Sequence, residues 1–215
     1  MIDTSLYAAF LVAAFTLCVT PGPDMMFIVA VGGRGGPLTG MTAALGVACA
    51  MFVHAVAAAL GLSALFLTLP MLYDALRWAG AAYLLYLAVR AFRGEGEPAG
   101  AGPAPVEGAG PKAGAARQRA FWRGAVTNLL NPKVILFNVS FLPQFVNPAL
   151  GHVQEQFLLL GCTITAMGLL VDGSVGLLSG RLAALLRRSR RVARGLDCFS
   201  GTVFAGLAIR LAAPK

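Results

Sequence analysis

Six stretches of the chain are apolar over enough residues, about 20 each, to cross a ~30 Å hydrocarbon layer as helices. They are residues 6–31, 38–69, 75–92, 121–146, 157–178 and 196–213. A backbone in lipid must satisfy its own N–H and C=O groups, so runs of this kind fold as helices rather than open sheet. The expectation is an all-α, polytopic membrane protein with six transmembrane helices. Composition agrees: hydrophobic residues make up 58% of the 215 residues, charged residues only 12%, and no soluble domain of this length needs so apolar a chain. The first stretch has no basic n-region and no small-residue cleavage site, so it reads as a retained span.

The net charge of +8 is a statement about orientation. Its arginines are not interleaved with aromatics as in a nucleic-acid surface, and they lie between apolar stretches, so nucleic acid is excluded as a partner. Arg34 follows the first stretch. Arg93, Lys112, Arg117, Arg119 and Arg123 flank the connection from the third to the fourth, and Arg181, Arg187, Arg188, Arg190, Arg191 and Arg194 that from the fifth to the sixth. The segments 70–74 and 147–156 contain no Lys or Arg. The positive-inside rule then predicts that both termini face out and the three basic connections face the cytoplasm.

Residues 94–116 are Gly, Ala or Pro except for Glu95, Glu97, Val106, Glu107 and Lys112. So little apolar bulk cannot offset the entropy of ordering, and a flexible cytoplasmic linker is expected between residues 1–93 and 117–215. Each flanking unit holds three spans, and the two resemble each other. "WAGAAYLLYLAVR" (Trp78 to Arg90) and "FSGTVFAGLAIR" (Phe199 to Arg210) share a Gly, an aromatic three residues on, and an apolar run closed by Arg. An odd number of spans per unit makes the second repeat inverted relative to the first.

Spans one and four are both interrupted by proline. In "TPGPD" (Thr20 to Asp24), Pro21 and Pro23 cannot donate to the helix, which leaves carbonyls without partners. Such backbone survives at membrane depth only inside protein or beside a water-filled cavity. A half-helix restarting at Pro23 presents free N–H groups and a positive dipole end suited to a carboxylate, with Asp24 in its first turn able to hold an ammonium or a proton. In "NLLNPKVILF" (Asn128 to Phe137), Asn131 can cap a half-helix starting at Pro132, and Lys133 places an ammonium in an apolar run. If the half-helices meet, Asp24 and Lys133 face each other, as an ion pair locking the repeats or across a bound substrate. Broken helices at matching places of inverted repeats point to a secondary transporter whose substrate site lies at the repeat interface.

These motifs, "TPGPD", "RAFWRGAVTNLLNPKV" (Arg119 to Val134) and "FLPQFV" (Phe141 to Val146), resemble the lysine exporter superfamily, in particular its homoserine/threonine exporter branch. The resemblance covers nearly the whole chain, and the long Gly/Ala/Pro linker departs from it. It implies a proton-driven exporter of amino acids or close analogues from the bacterial cytoplasm, with no catalytic residues and no cofactor. It carries Thr20, Pro21, Gly22 and Pro23 from the first motif and Asn131, Pro132 and Lys133 from the second. Partners so implied are an amino-acid substrate, protons and the lipid bilayer, with room for a homodimer.

Asp172, in "GLLVDGSVG", has no partner on its own helix and must face a cavity, a basic residue or stay protonated; with Asp24 it is the second candidate for proton coupling. His54 shares a helix face with Ala50, Ala57, Ala58 and Gly61 and reads as a packing residue, with a proton relay as the alternative. Cys18, Cys49, Cys162 and Cys198 raise soft-metal export or a membrane thiol oxidoreductase acting through Cys18 as alternatives, but no C-x-x-C is present. Ser174 with His54 lacks the turn that an intramembrane serine protease requires.

Overall fold

The computed structural model describes residues 2–62, 70–95 and 113–213; within helices, the side chains of Leu62, Pro70, Leu72, Tyr73, Ala113, Arg187, Arg188 and Arg190 are left out. These residues form eight α-helices and no strand. Helix α1 (Thr4–Val19) starts at Asp3, whose carboxylate accepts from the Ser5 and Leu6 amides at 3.0 and 3.2 Å. The Ser5 hydroxyl and then the Leu6 amide hold the Asp3 carboxyl below its ordinary value. After the break at residues 20–22 the chain resumes as α2 (Pro23–Gly35), bent 45° from α1. Gly36, at φ 86°, turns it directly into α3 (Pro37–Ala57), whose end loosens into a π-helical turn at Ala58–Leu62. The last seven residues of the second predicted span lie outside the described residues.

Helix α4 (Pro70–Arg93) is already helical five residues before the predicted third span. Of the predicted linker, residues 96–112 lie outside the described residues, and its end is helical: α5 (Ala113–Leu129) starts inside it, on alanines that favour helix. A second break at residues 130–131 leads into α6 (Pro132–Leu136), continued by a π-helical turn (Phe137–Phe141) and a 3₁₀ turn (Leu142–Phe145), with a bend of 48°. Helix α7 (Val153–Arg188) runs about 54 Å, well beyond the predicted span. Only Ser189 separates it from α8 (Arg190–Ala212). The arginine-rich connection is therefore helix ends rather than a loop, as suits a residue with high helix propensity.

Among the described residues, Pro37–Gly61, Val153–Leu186 and Arg191–Ala212 are long and apolar enough to cross a membrane, and so is each bent pair taken as one span. Helix α4 has the length, but Asp74, Arg77, Arg90 and Arg93 make it less apolar.

Helix α3 packs on α5 and α7, α4 on α8, and α2 on α3, α5 and α7. Toward the start of α1 the core is aromatic: Phe10, Phe141, Phe145 and Phe157 are fully buried, with Phe10 and Phe145 ring centroids 5.4 Å apart. That end is tied by Gln156, which accepts from the Asn147 amide and donates to the carbonyls of Asn147 and Gly151 at 2.8–2.9 Å. Tyr7 and Thr163 share a further bond of 3.0 Å.

Toward the other end the core narrows to Ile28, Ala43, Ala44, Val47 and Ala120, and the helices touch backbone to backbone. A Cβ on Gly46 would lie 2.0 Å from the Phe121 carbonyl oxygen, and one on Gly124 would lie 2.4 Å from that of Ala43. No side chain can move aside there. Gly46→Ala is therefore expected to force α3 from α5 and abolish the monodisperse protein recovered in detergent. Gly206→Ala, with nothing within 4 Å, should be neutral or slightly stabilising.

Candidate functional site

The two breaks meet, and the charges beside them cross over. Asp24, in the first turn of α2, accepts at Oδ2 from Asn128 Nδ2 and Asn131 Nδ2, each at 2.8 Å. Those amides come from the last turn of α5 and from the break that follows it. Reciprocally, Lys133, in the first turn of α6, donates from Nζ to the Thr20 carbonyl at 2.9 Å, the backbone group released where α1 stops. Each half-helix start thus holds the broken end of the other half. Asn131 serves both, because its Oδ1 also accepts from the Lys133 amide at 3.0 Å and caps α6.

Of the two alternatives for Asp24 and Lys133, this arrangement is not the ion pair. Among the described residues, ion pairs within 4.0 Å join Arg77 to Asp74, Arg90 to Glu95 and His152 to Glu155, and none joins Asp24 to Lys133. Lys133, buried to 6% exposure, sits instead between the Thr20 carbonyl and the face of Phe204, 5.3 Å from the ring centroid. The physical reason is that each charge finds a neutral partner at the opposite break: the side-chain amides of Asn128 and Asn131 reach Asp24, and the Thr20 carbonyl released by the first proline break reaches Lys133. A charge held by neutral dipoles leaves part of its field for a third party.

Between the two breaks lies a cavity of about 50 Å³, room for a few water molecules. Thr20, Gly22, Asp24, Asn131 and Lys133 line it, as does Asp172 from α7, so six of the predicted site residues converge. Pro21, Pro23 and Pro132 do not line it; they make the breaks. Gly22 reaches the cavity because it is the bare, extended N-cap of α2 (φ −151°) with no side chain of its own to cap the free amides.

Asp172 is buried, and no donor among the described residues bonds its carboxylate; it faces the cavity with Lys133 as the one cation in the lining. Asp24 Oδ1 and Asn128 Oδ1 are enclosed acceptors without a partner. The site therefore offers unspent acceptors beside Asp24 and Asp172. It also offers unspent donors on Lys133 and at the start of α2, the requirements for holding an ammonium and a carboxylate of one small dipolar molecule.

Asn128 was not singled out from sequence as a site residue, although it stands three residues before Asn131 and so on the same helix face. Leu17, Met25, Met51, Val134, Ile164 and Gly168 add the apolar wall and escaped notice because apolar lining looks like ordinary core. His54 is half-buried on α3, outside the lining, with Nε2 enclosed and unpartnered. Cys18 lines the cavity, Cys49 and Cys162 are exposed on the outer surface, Cys198 is half-buried, and all four are free. Ser174 is exposed, its hydroxyl bonded to the Leu170 carbonyl of its own helix at 2.7 Å.

A family model for LysE type translocators matches residues 15–214. An uncharacterized membrane protein of Pseudomonas aeruginosa is 34% identical over 198 residues, spanning 89% of this chain and 88% of the relative. A leucine efflux protein of Enterobacter sp. is 30% identical over 209 residues (94% and 93%), and one of Salmonella typhimurium is 30% identical over 210 (96% and 94%). No solved structure matches the chain.

Proposed function

The chain belongs to the LysE type translocator family, and from that premise we propose that it exports amino acids with apolar side chains, leucine first among them, in exchange for protons. The observation that carries the reading is the crossed pairing of Asp24 and Lys133 with the opposite break, around a cavity that also contains Asp172. Lys133 and the free amides of α2 take the substrate carboxylate; the open oxygens of Asp24 and Asn128 take its ammonium. Asp172 binds the proton, since a lone carboxylate in an apolar helix persists only when neutralised or paired.

The cavity is too small for leucine as it stands, so loading requires the two halves to part. Corresponding spans of the two halves pack on each other, α3 on α7 and α4 on α8, which supports an inverted repeat whose halves rock about the breaks. The six-span arrangement in the inner membrane, termini outside, is supported by charge. The ends of α2, α4 and α7 and the starts of α5 and α8 carry the arginines, and Arg194 bonds the Phe92 carbonyl across two of them.

Reconstituted protein tests this. A proton gradient directed against leucine movement should accelerate leucine flux severalfold. Asp172→Asn should keep leucine-for-leucine exchange while losing that acceleration. Leucine flux indifferent to the gradient would remove proton coupling, and absence of any amino-acid flux would remove the export reading.

A further inference from the structure

The cavity wall is graded along α7. Ile164, Gly168 and Asp172 all line it and stand four residues apart, one above another on a single helix face, so one stripe passes from an apolar side chain, through a bare backbone, to an acid. Facing the apolar part are Leu17 and Cys18 at the end of α1 and Met51 of α3. The bare position in the middle is the informative one. A Cβ on Gly168 would lie 2.9 Å from Met51 Sδ, 3.0 Å from Met51 Cε and 3.9 Å from Cys18 Sγ.

The Met51 thioether therefore rests against the α7 backbone in space that any other residue at 168 would occupy. Methionine is unbranched, turns about three bonds and repacks readily, so it is a wall that can give way. Gly46 and Gly124 meet backbone, and Gly32, Gly80 and Gly161 first meet the short side chains of Ser179, Ser140 and Ala55; at Gly168 the neighbour is the far end of a long, flexible side chain that itself lines the cavity.

Building on the export reading, we propose that Gly168 and Met51 set the length of side chain that the transport site accepts. A substrate held by its ammonium and carboxylate at Asp24 and Lys133 directs its side chain along α7 toward Ile164. Leucine- or methionine-sized chains then occupy the space that Met51 vacates by swinging off Gly168. A methyl on Gly168 itself fills that space and crowds the displaced thioether into the rest of the cavity, which leaves room only for short side chains.

Export of leucine and of alanine, measured for each variant beside its thermal midpoint in detergent, tests the proposal. Gly168→Ala should fold, because only a flexible chain end must shift. It should lower leucine export relative to alanine by about tenfold or more, as expected when a hydrophobic pocket loses the room of about one methylene. Adding Met51→Ala to Gly168→Ala should return most of the lost leucine export. If Gly168→Ala does not fold, Met51→Phe fills the same space from the opposite wall and should shift the preference in the same direction. An unchanged leucine-to-alanine ratio, an equal loss of both, or a shift that Met51→Ala fails to reverse would overturn the assignment of Gly168. Wild-type protein that exports neither amino acid would instead overturn the exporter reading, and this assignment with it.

Discussion

Asp24→Asn is expected to leave the protein folded and to reduce leucine export by tenfold to a hundredfold. Folding survives because a single oxygen, Oδ2, receives both amides of Asn128 and Asn131, and an asparagine oxygen can receive the same two bonds. What the substitution removes is the negative charge and the free Oδ1, now replaced by an NH₂ that cannot accept from an ammonium. A hydrogen bond to a charged group contributes about 1.5–3 kcal/mol, which corresponds to that range of rates. Export in cells and the thermal midpoint in detergent are read together, and the midpoint should stay within about 4 °C of wild type. A folded Asp24→Asn protein with full export would limit Asp24 to a structural role.

Lys133→Met should damage both properties. Methionine preserves the apolar stem but leaves the Thr20 carbonyl without its buried donor, a loss of about 1–3 kcal/mol, and it removes the cation from the face of Phe204. Export should fall below a tenth of wild type even where the protein is intact. Because Asp24 and Lys133 bind opposite breaks and not each other, Asp24→Asn combined with Lys133→Met should recover nothing. A structural ion pair gives the reverse, each single change stranding a buried charge and the double change restoring stability and transport. Recovery in the double variant would contradict the crossed arrangement.

The prolines told most of this story in advance. Pro21, Pro23 and Pro132 cannot sit in a continuous helix, so the two breaks, the restart residues and the exposed backbone around them were legible from sequence alone. Asp172 was legible because an acid in an apolar stretch must face something polar, and it does face the cavity. The partners were not legible. Asn128 and Asn131 lie 104 and 107 residues from Asp24, and nothing local says that an acid will take two amides rather than the one available ammonium.

Nor does loop charge report backbone. The arginines near Ser189 are expected to mark a side of the bilayer, yet they belong to helix ends: Arg187 and Arg188 close α7, where the dipole favours a cation, whereas Arg190, Arg191 and Arg194 open α8, where the dipole opposes one. The contribution of Gly168 was hidden for a related reason. A glycine in an apolar helix is ordinary until the thioether of Met51, more than a hundred residues earlier, is found lying against it.

Equilibrium binding of radiolabelled leucine to the purified protein tests most directly whether the cavity at the crossed breaks is the transport site. Wild-type protein should bind leucine saturably. Asp24→Asn and Lys133→Met, each shown to be folded, should not. Asp197→Asn, an acid near the start of α8 outside the cavity lining, should bind as wild type does. Saturable leucine binding of undiminished affinity in both folded cavity variants would contradict the account.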